Sequence, residues 1–144
     1  MILITPTSEC AAELAAIDTV CFTDPWSETA FREALAGDGY TFFALEDDGA
    51  LIGYAGMLTV LDTADITNIA VLPAYRRRGL ARSLLSALAN AAKEKGVTRF
   101  QLEVRESNTA ARTLYESLGF SVDGKRKGYY KKPDEDAVLM SLSL

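Results

Sequence analysis

The chain is 144 residues long, with 49% hydrophobic and 24% charged residues, the balance of one globular domain that buries roughly two-thirds of its unfolded surface. Its net charge of −5 argues against general nucleic-acid binding, for which a basic domain is expected, and suits a basic protein or peptide partner. The absence of histidine excludes Ser–His and Cys–His catalysis and any zinc site that needs imidazole, so a catalytic base has to be a carboxylate, an amine, a thiolate or a tyrosinate.

In chain order, Ile2–Thr5 reads as a short strand stopped by Pro6. The opening MILITPTSEC has neither the basic start nor the long apolar stretch of a signal peptide, so a cytoplasmic location is expected. No apolar run approaches the roughly 20 residues that a membrane helix needs. Thr7 or Ser8 is placed to cap an Ala- and Leu-rich helix that runs to about Phe22. Cys10 and Cys21 fall on that helix about 16 Å apart, too far for a disulfide. Pro25 breaks the helix, and Ser27, with Ala30 three residues on, opens another that ends near Gly37 and Gly39.

Two strand-like stretches follow, Tyr40–Glu46 and Leu51–Leu61, joined by the hairpin signal Asp47-Asp48-Gly49. After the Leu-Asp-Thr-Ala-Asp stretch another strand spans Ile66–Leu72 and stops at Pro73. From Arg78 the period changes: Leu80, Leu84, Leu88 and Ala91 or Ala92 mark one helical face, ended by Gly96. Phe100, Leu102 and Val104 alternate with Gln101, Glu103 and Arg105 as a strand does. Asn108 begins a helix through Ala111, Leu114 and Leu118 that Gly119 closes. Strands around Phe120–Lys125 and Ala137–Leu142 complete a β–α–β–α–β second half, so a mixed sheet with helices on both faces is predicted for a single domain over residues 1–144.

Two segments carry chemistry. In "NIAVLPAYRRRGLARSLL" a strand ends, a short loop follows, and a glycine stands at the first turn of a long helix. Unpaired backbone N–H groups and the positive end of the helix dipole favour a phosphate there. Gly79 lets an anion approach the backbone, Ala81 is the next smallest choice, and the arginines add charge-assisted contacts. The Gly-Lys-Ser/Thr ending of a Walker loop and the three spaced glycines of a dinucleotide fingerprint are both missing. In "FQLEVRESNTAARTLYESLGF", Glu103 points to the opposite side of its strand from Leu102 and Val104. Asn108, Ala111 or Arg112, and Tyr115 share one helical stripe. Taken singly, the first segment also fits a solvated basic helix start, Glu103 an exposed strand residue and Tyr115 a half-buried packing aromatic.

Together these segments resemble the GNAT superfamily of N-acetyltransferases, whose strand–loop–helix carries Arg/Gln-x-x-Gly-x-Gly/Ala, matched by Arg76, Gly79 and Ala81. Within it the chain is most similar to the RimI-type alanine N-acetyltransferases of ribosomal proteins. The shared features are Pro25–Ser27, Asn68–Val71, Leu102–Phe120, Tyr129–Tyr130 and Glu135–Met140. The resemblance implies an α/β fold with a mixed, mostly antiparallel sheet of about seven strands, helices on both faces, and a splay between the central parallel strands. It implies acetyl-CoA as co-substrate, no metal, and direct acetyl transfer to an amine. Ile69, Ala70 and Val71 would hold the acetyl and pantetheine arms through their main chain. Arg77, Arg78, Gly79, Leu80, Ala81 and Arg82 would cradle the pyrophosphate, Arg76 would belong to the same cofactor-binding motif, and Asn108 would contact pantetheine. Glu103 would be the general base and Tyr115 the acid that protonates the departing thiolate.

The partner expected from the resemblance is a protein N-terminus, that of a small-subunit ribosomal protein, with no direct contact to nucleic acid. The alternatives are a lysine or small-amine acetyltransferase and a non-catalytic acyl-CoA-binding protein. Trp26, after the helix break, is a candidate for the acceptor wall or for a core anchor. The basic run Lys125–Lys132 reads as a solvated loop or hairpin, with contact to the 3′-phosphate of CoA or to ribosomal RNA as its alternatives.

Overall fold

Alternating apolar positions build the strands and 3.6-residue spacing builds the helices. The computed structural model describes residues 1–144. It consists of β1 (Ile2–Ile4), α1 (Ala11–Cys21), α2 (Glu28–Ala36), β2 (Tyr40–Asp47), β3 (Ala50–Val60), β4 (Thr63–Val71), α3 (Leu80–Glu94), β5 (Arg99–Arg105), α4 (Thr109–Ser117), β6 (Ser121–Tyr130) and β7 (Glu135–Ser143). The strands form one sheet in the order β1-β2-β3-β4-β5-β7-β6. Only the central β4–β5 pair is parallel; every other neighbouring pair is antiparallel.

Each face of the sheet has its own core. On one side Leu84, Leu85 and Leu88 of α3 and Tyr115 of α4 pack on Phe100, Leu102, Val104 and Met140. On the other, Leu14 and Ile17 of α1 and Phe31 of α2 pack on Phe42 and Tyr54. Gly56 has to be a glycine, because a Cβ there would lie 2.4 Å from the Phe42 ring.

Most local expectations hold. Ser27 caps α2, its Oγ accepting from the Ala30 N–H at 3.0 Å. Asp48 and Gly49, with φ of 51° and 83°, make the two-residue turn that right-twisted hairpins favour. Two details differ. Thr7 makes no side-chain cap, and the first helix starts instead through a 3-10 turn at Ser8–Cys10. The loop expected over Leu61–Asp65 is a tight turn, so β4 begins at Thr63 and Ala64 is fully buried beneath α3 and β5. The Asp62 carbonyl accepts from the Thr98 and Arg99 N–H groups at 2.8 and 3.2 Å, tying that turn to the start of β5. The basic run Lys125–Tyr130 is a largely exposed part of β6 and continues into the turn before β7.

Two irregularities open the centre. β4 and β5 pair only through Thr63, Ala64 and Asp65 with Arg99, Phe100 and Gln101, and beyond that point they separate. Opposite β3, Ile66 pairs with Met57 and Asn68 with Gly56, leaving Thr67 as an extra residue, a β-bulge. The bulge reverses the alternation. Ile66 is buried in the α3/α4 core, whereas Asn68 and Ala70 turn toward α1 and α2.

Candidate active site

The separation of β4 and β5 leaves main-chain groups along the end of β4 without a β5 partner, and a cavity of about 830 Å³ opens beside them. Glu103 and Tyr115 both line it, and they reach it from different sides. Phe100, Leu102 and Val104 point into the α3/α4 core, so Glu103, alternating with them, points to the α1/α2 side. Tyr115 comes from within the α3/α4 core and is 5% exposed. Burial alone pushes its phenol up to about 12. Glu103 has one loose charged neighbour, Arg126 Nη1 at 3.9 Å, on the exposed side.

The roof of the cavity is the turn between β6 and β7, and Arg105 fixes it. Its guanidinium donates to the Lys131 and Pro133 carbonyls at 2.7 and 2.9 Å, pairs with Glu135 at 3.2 Å and lies 4.6 Å from the Tyr130 ring centroid. Glu135 also accepts from the Ser107 N–H at 2.6 Å. The Ser107 side chain first, then this N–H, with Arg105 as a further cause, hold its carboxyl below the usual carboxylate range. Tyr129 and Tyr130 therefore line the cavity from a braced hairpin. The opposite wall is Trp26, half-buried, its ring 5.2 Å from Phe31 and 6.0 Å from Tyr40. Trp26 thus lines the cavity and packs on the α2/β2 aromatics at once. Cys21 also lines this space; burial raises its thiol pKa and so disfavours the reactive thiolate.

A second groove, of about 450 Å³, runs along the start of α3. Val71 lies in this groove and Ile69 in the cavity, so the end of β4 runs from one to the other. Arg76, Arg77, Gly79, Leu80, Ala81 and Arg82 line the groove, together with Ala110 and Leu114 of α4. Gly79 is the N-cap of α3 at φ 73°, and no side chain caps the helix. Nothing lies within 4 Å of where a Gly79 Cβ would project. Arg77 is likewise left-handed, at φ 64°. A backbone curled this way, with open helix N–H groups and arginines at its rim, fits a phosphate-bearing ligand.

The arginines differ in what holds them. Arg76 Nε donates to the Val71 carbonyl at 2.9 Å, so its guanidinium braces the end of β4. Arg82 bonds Ser117 Oγ at 2.7 Å. Arg78 lies over the Tyr75 ring, 5.2 Å from its centroid, and is not part of the groove lining. Ala70 is buried under the α1/α2 core and is not part of either lining. Asn108 lines the cavity as the N-cap of α4, its Oδ1 accepting from the Ala111 N–H at 3.2 Å, which leaves its amide NH₂ for a ligand.

Three residues of this region were given no role of their own in the sequence reading: Asp18, Tyr54 and Asn68, the last named only as the start of the Asn68–Val71 motif. Two of them carried a signal. Asp18 stands one turn after Leu14 on the apolar stripe of α1, and Asn68 interrupts an otherwise apolar strand. Asp18 is 1% exposed; it accepts from the Tyr54 hydroxyl and, at 3.1 Å, from the Trp26 N–H. Burial raises its carboxyl pKa against those two hydrogen bonds.

Residues 11–120 match the profile of the acetyltransferase (GNAT) family. The chain is 44% identical over 122 residues to the [ribosomal protein bS18]-alanine N-acetyltransferase of Escherichia coli K12, covering 83% of this chain and 82% of that protein. The crystal structure of the E. coli ribosomal-protein-S18-alanine N-acetyltransferase superposes with a TM-score of 0.90 at 38% identity, covering 99% and 92% of the two chains. A Bacillus anthracis chain described as a streptothricin acetyltransferase, solved with acetyl coenzyme A, superposes with a TM-score of 0.69 at 25% identity. The match covers 76% of this chain and 65% of that one.

Proposed function

The chain belongs to the GNAT family of acetyltransferases, and from that premise we propose that this N-acetyltransferase moves an acetyl group from acetyl-CoA to a protein N-terminus. On this reading the acceptor is the α-amine of an N-terminal alanine on a small-subunit ribosomal protein, as the relatives' names describe, and the reaction takes place in the cytoplasm. The observation that carries the chemistry is the meeting of Glu103 and Tyr115 in one cavity at the β4–β5 separation, beside a groove suited to phosphate.

Bound acetyl-CoA supplies an activated acetyl thioester. The rest is done by this chain's residues. The curled loop Arg77–Arg82 and the N-terminus of α3 hold the pyrophosphate, while the free edge of Ile69–Val71 and the Asn108 amide align the arm. Glu103 takes a proton from the amine, directly or through water, and the Tyr115 hydroxyl gives one to the leaving sulfur. An α-amine with a pKa of about 7.7–8.0 costs under about 1 kcal/mol to deprotonate at about pH 7.4, whereas lysine at about 10.4 costs roughly 4. A single carboxylate base is therefore better matched to an N-terminus. The acidic surface favours the approach of a basic ribosomal tail.

The test is incubation with acetyl-CoA and a library of proteome-derived peptides, with acetylation sites read by mass spectrometry. Enrichment of N-terminal alanine is expected. Enrichment of internal lysines would overturn the acceptor assignment.

A further inference from the structure

The end of the β6–β7 hairpin lies outside both cores. No residue from Ser121 to Asp136 belongs to either apolar cluster. Yet Tyr129, Tyr130, Lys131, Pro133 and Glu135 of this segment line the cavity that holds Glu103. A segment with so few buried apolar contacts opens locally unless polar bonds set its position.

The ladder supplies part of that hold. Tyr130 pairs with Glu135 after a shift of register that begins at Arg126, and the Gly128 N–H donates to the Asp136 carboxylate at 2.8 Å. In the turn itself, residues 131–134, Arg105 is the one side chain that bonds the main chain. Its Nη2 donates to the Lys131 carbonyl at 2.7 Å, and its Nη1 to the Pro133 carbonyl at 2.9 Å and to Glu135 at 3.2 Å. A guanidinium is planar, so two carbonyls and a carboxylate met by one group fix the height and the tilt of the turn together. The point charge of a lysine cannot do both. Through Glu135, which accepts from the Ser107 N–H at 2.6 Å, the same brace reaches the residue before the Asn108 N-cap of α4.

Arg105 stands two positions after Glu103 on β5, so both side chains leave the same face of the strand, roughly 7 Å apart at their attachment points. The strand that carries Glu103 therefore also carries the brace of the roof.

We propose that Arg105 is a positioning residue for the acceptor, holding the β6–β7 turn at the height over Glu103 at which the roof closes on a peptide main chain. The inference rests on reading this cavity as the acceptor site. Arg105 acts through the turn and takes no part in proton transfer. Its loss leaves Glu103, Tyr115 and the groove along α3 in place, so it weakens the hold on the peptide and raises KM rather than lowering kcat.

The test compares wild type with Arg105→Leu, which removes the brace, and Arg105→Lys, which keeps the charge without the fork. Two acceptors are offered, an alanine-initiated peptide and an N-blocked peptide with one internal lysine, and kinetics are measured with whichever wild type acetylates. For Arg105→Leu, acetyl-CoA affinity by calorimetry should stay within about twofold of wild type and kcat within about threefold. Peptide KM should rise by about 10- to 100-fold, the range for hydrogen bonds to a charged group. Arg105→Lys should fall nearer to Arg105→Leu than to wild type. Hydrogen exchange should quicken at backbone amides between Tyr129 and Asp134 and stay unchanged in β5 and α3.

A folded Arg105→Leu protein with wild-type KM, with a loss confined to kcat, or with unchanged exchange in the turn would overturn the inference. If Arg105→Leu does not fold, Arg105→Lys decides by the same measurements. Wild-type turnover of neither peptide would sink the proposed function and this inference with it. Wild-type turnover together with an unaltered KM in the variants would sink the positioning role alone.

Discussion

Glu103 and Tyr115 differ in how their surroundings prepare them. Glu103 stands in the cavity with a guanidinium 3.9 Å away, positioned to accept a proton. Glu103→Gln keeps the shape and removes that capacity, so the turnover rate should fall by about 10²- to 10⁴-fold, with acetyl-CoA affinity nearly unchanged. Part of the loss should return at high pH, where more of the amine is already neutral; a wild-type rate at pH 7 would make Glu103 structural. Tyr115 is prepared in the opposite sense. Burial disfavours its phenolate and raises its pKa to about 12, so the hydroxyl remains a proton donor throughout the neutral and mildly alkaline range. The pH–rate profile should therefore show no falling limb from Tyr115 below about pH 11. Tyr115→Phe should lower kcat by about 10- to 10³-fold at nearly constant acetyl-CoA affinity, because its bond to sulfur matters chiefly as the thiolate leaves. Wild-type turnover by Tyr115→Phe, under conditions where chemistry limits the rate, would remove the acid role.

At the scale of elements, the loop between β4 and α3 is proposed as the pyrophosphate site on a signal that lies in consecutive residues. Arginines, a glycine and the start of an apolar helical period follow one another, and a helix N-terminus does the same thing wherever it occurs. The conformation adds what the letters alone did not: Gly79 is left-handed at φ 73° with open space where its Cβ would be. Gly79→Val should therefore weaken acetyl-CoA binding strongly by filling the phosphate's approach, and should also strain the backbone by about 1–2 kcal/mol. Gly79→Ala carries the Cβ strain of the left-handed conformation with little bulk, so it sets the baseline against which the bulk of valine is read. Calorimetry of both variants is expected to show the larger affinity loss for valine, and equal, unimpaired binding by both would remove the loop from the co-substrate site. The bulge at Thr67 and the turn at Leu61–Asp62 were not readable in this way. A bulge is set by which residues of β3 stand opposite, and the turn by how early β4 must start to bury Ala64. Both depend on partners outside their own segment.

Across the whole molecule the same distinction separates what the sequence discloses from what folding creates. Alternation in β5 and helical spacing in α3 announce two elements and the core between them. The pair Asp18–Tyr54 joins α1 to β3 across a sequence separation of 36, and only the folded sheet assembles it. It also places a carboxylate in an apolar interior, which a protein selected for stability alone would avoid. The pH dependence of stability exposes that burden. Burial raises the folded-state pKa of Asp18 above its ordinary value of 3.8, despite the Tyr54 and Trp26 hydrogen bonds. The folded protein thus holds the Asp18 proton more tightly than the unfolded chain does. Stability from this group is fully present below pH 3.8 and is lost as pH rises through the folded pKa. Asp18→Asn cannot ionise and escapes that loss. Its stability relative to wild type, measured by urea unfolding, should increase from pH 3.5 to pH 7, while the other carboxylates affect both proteins alike and cancel. Parallel stability curves over that range would show that Asp18 titrates in the folded protein as it does in the unfolded chain. A variant that gains stability over wild type toward neutral pH is the outcome expected of a buried charge that folding alone does not favour.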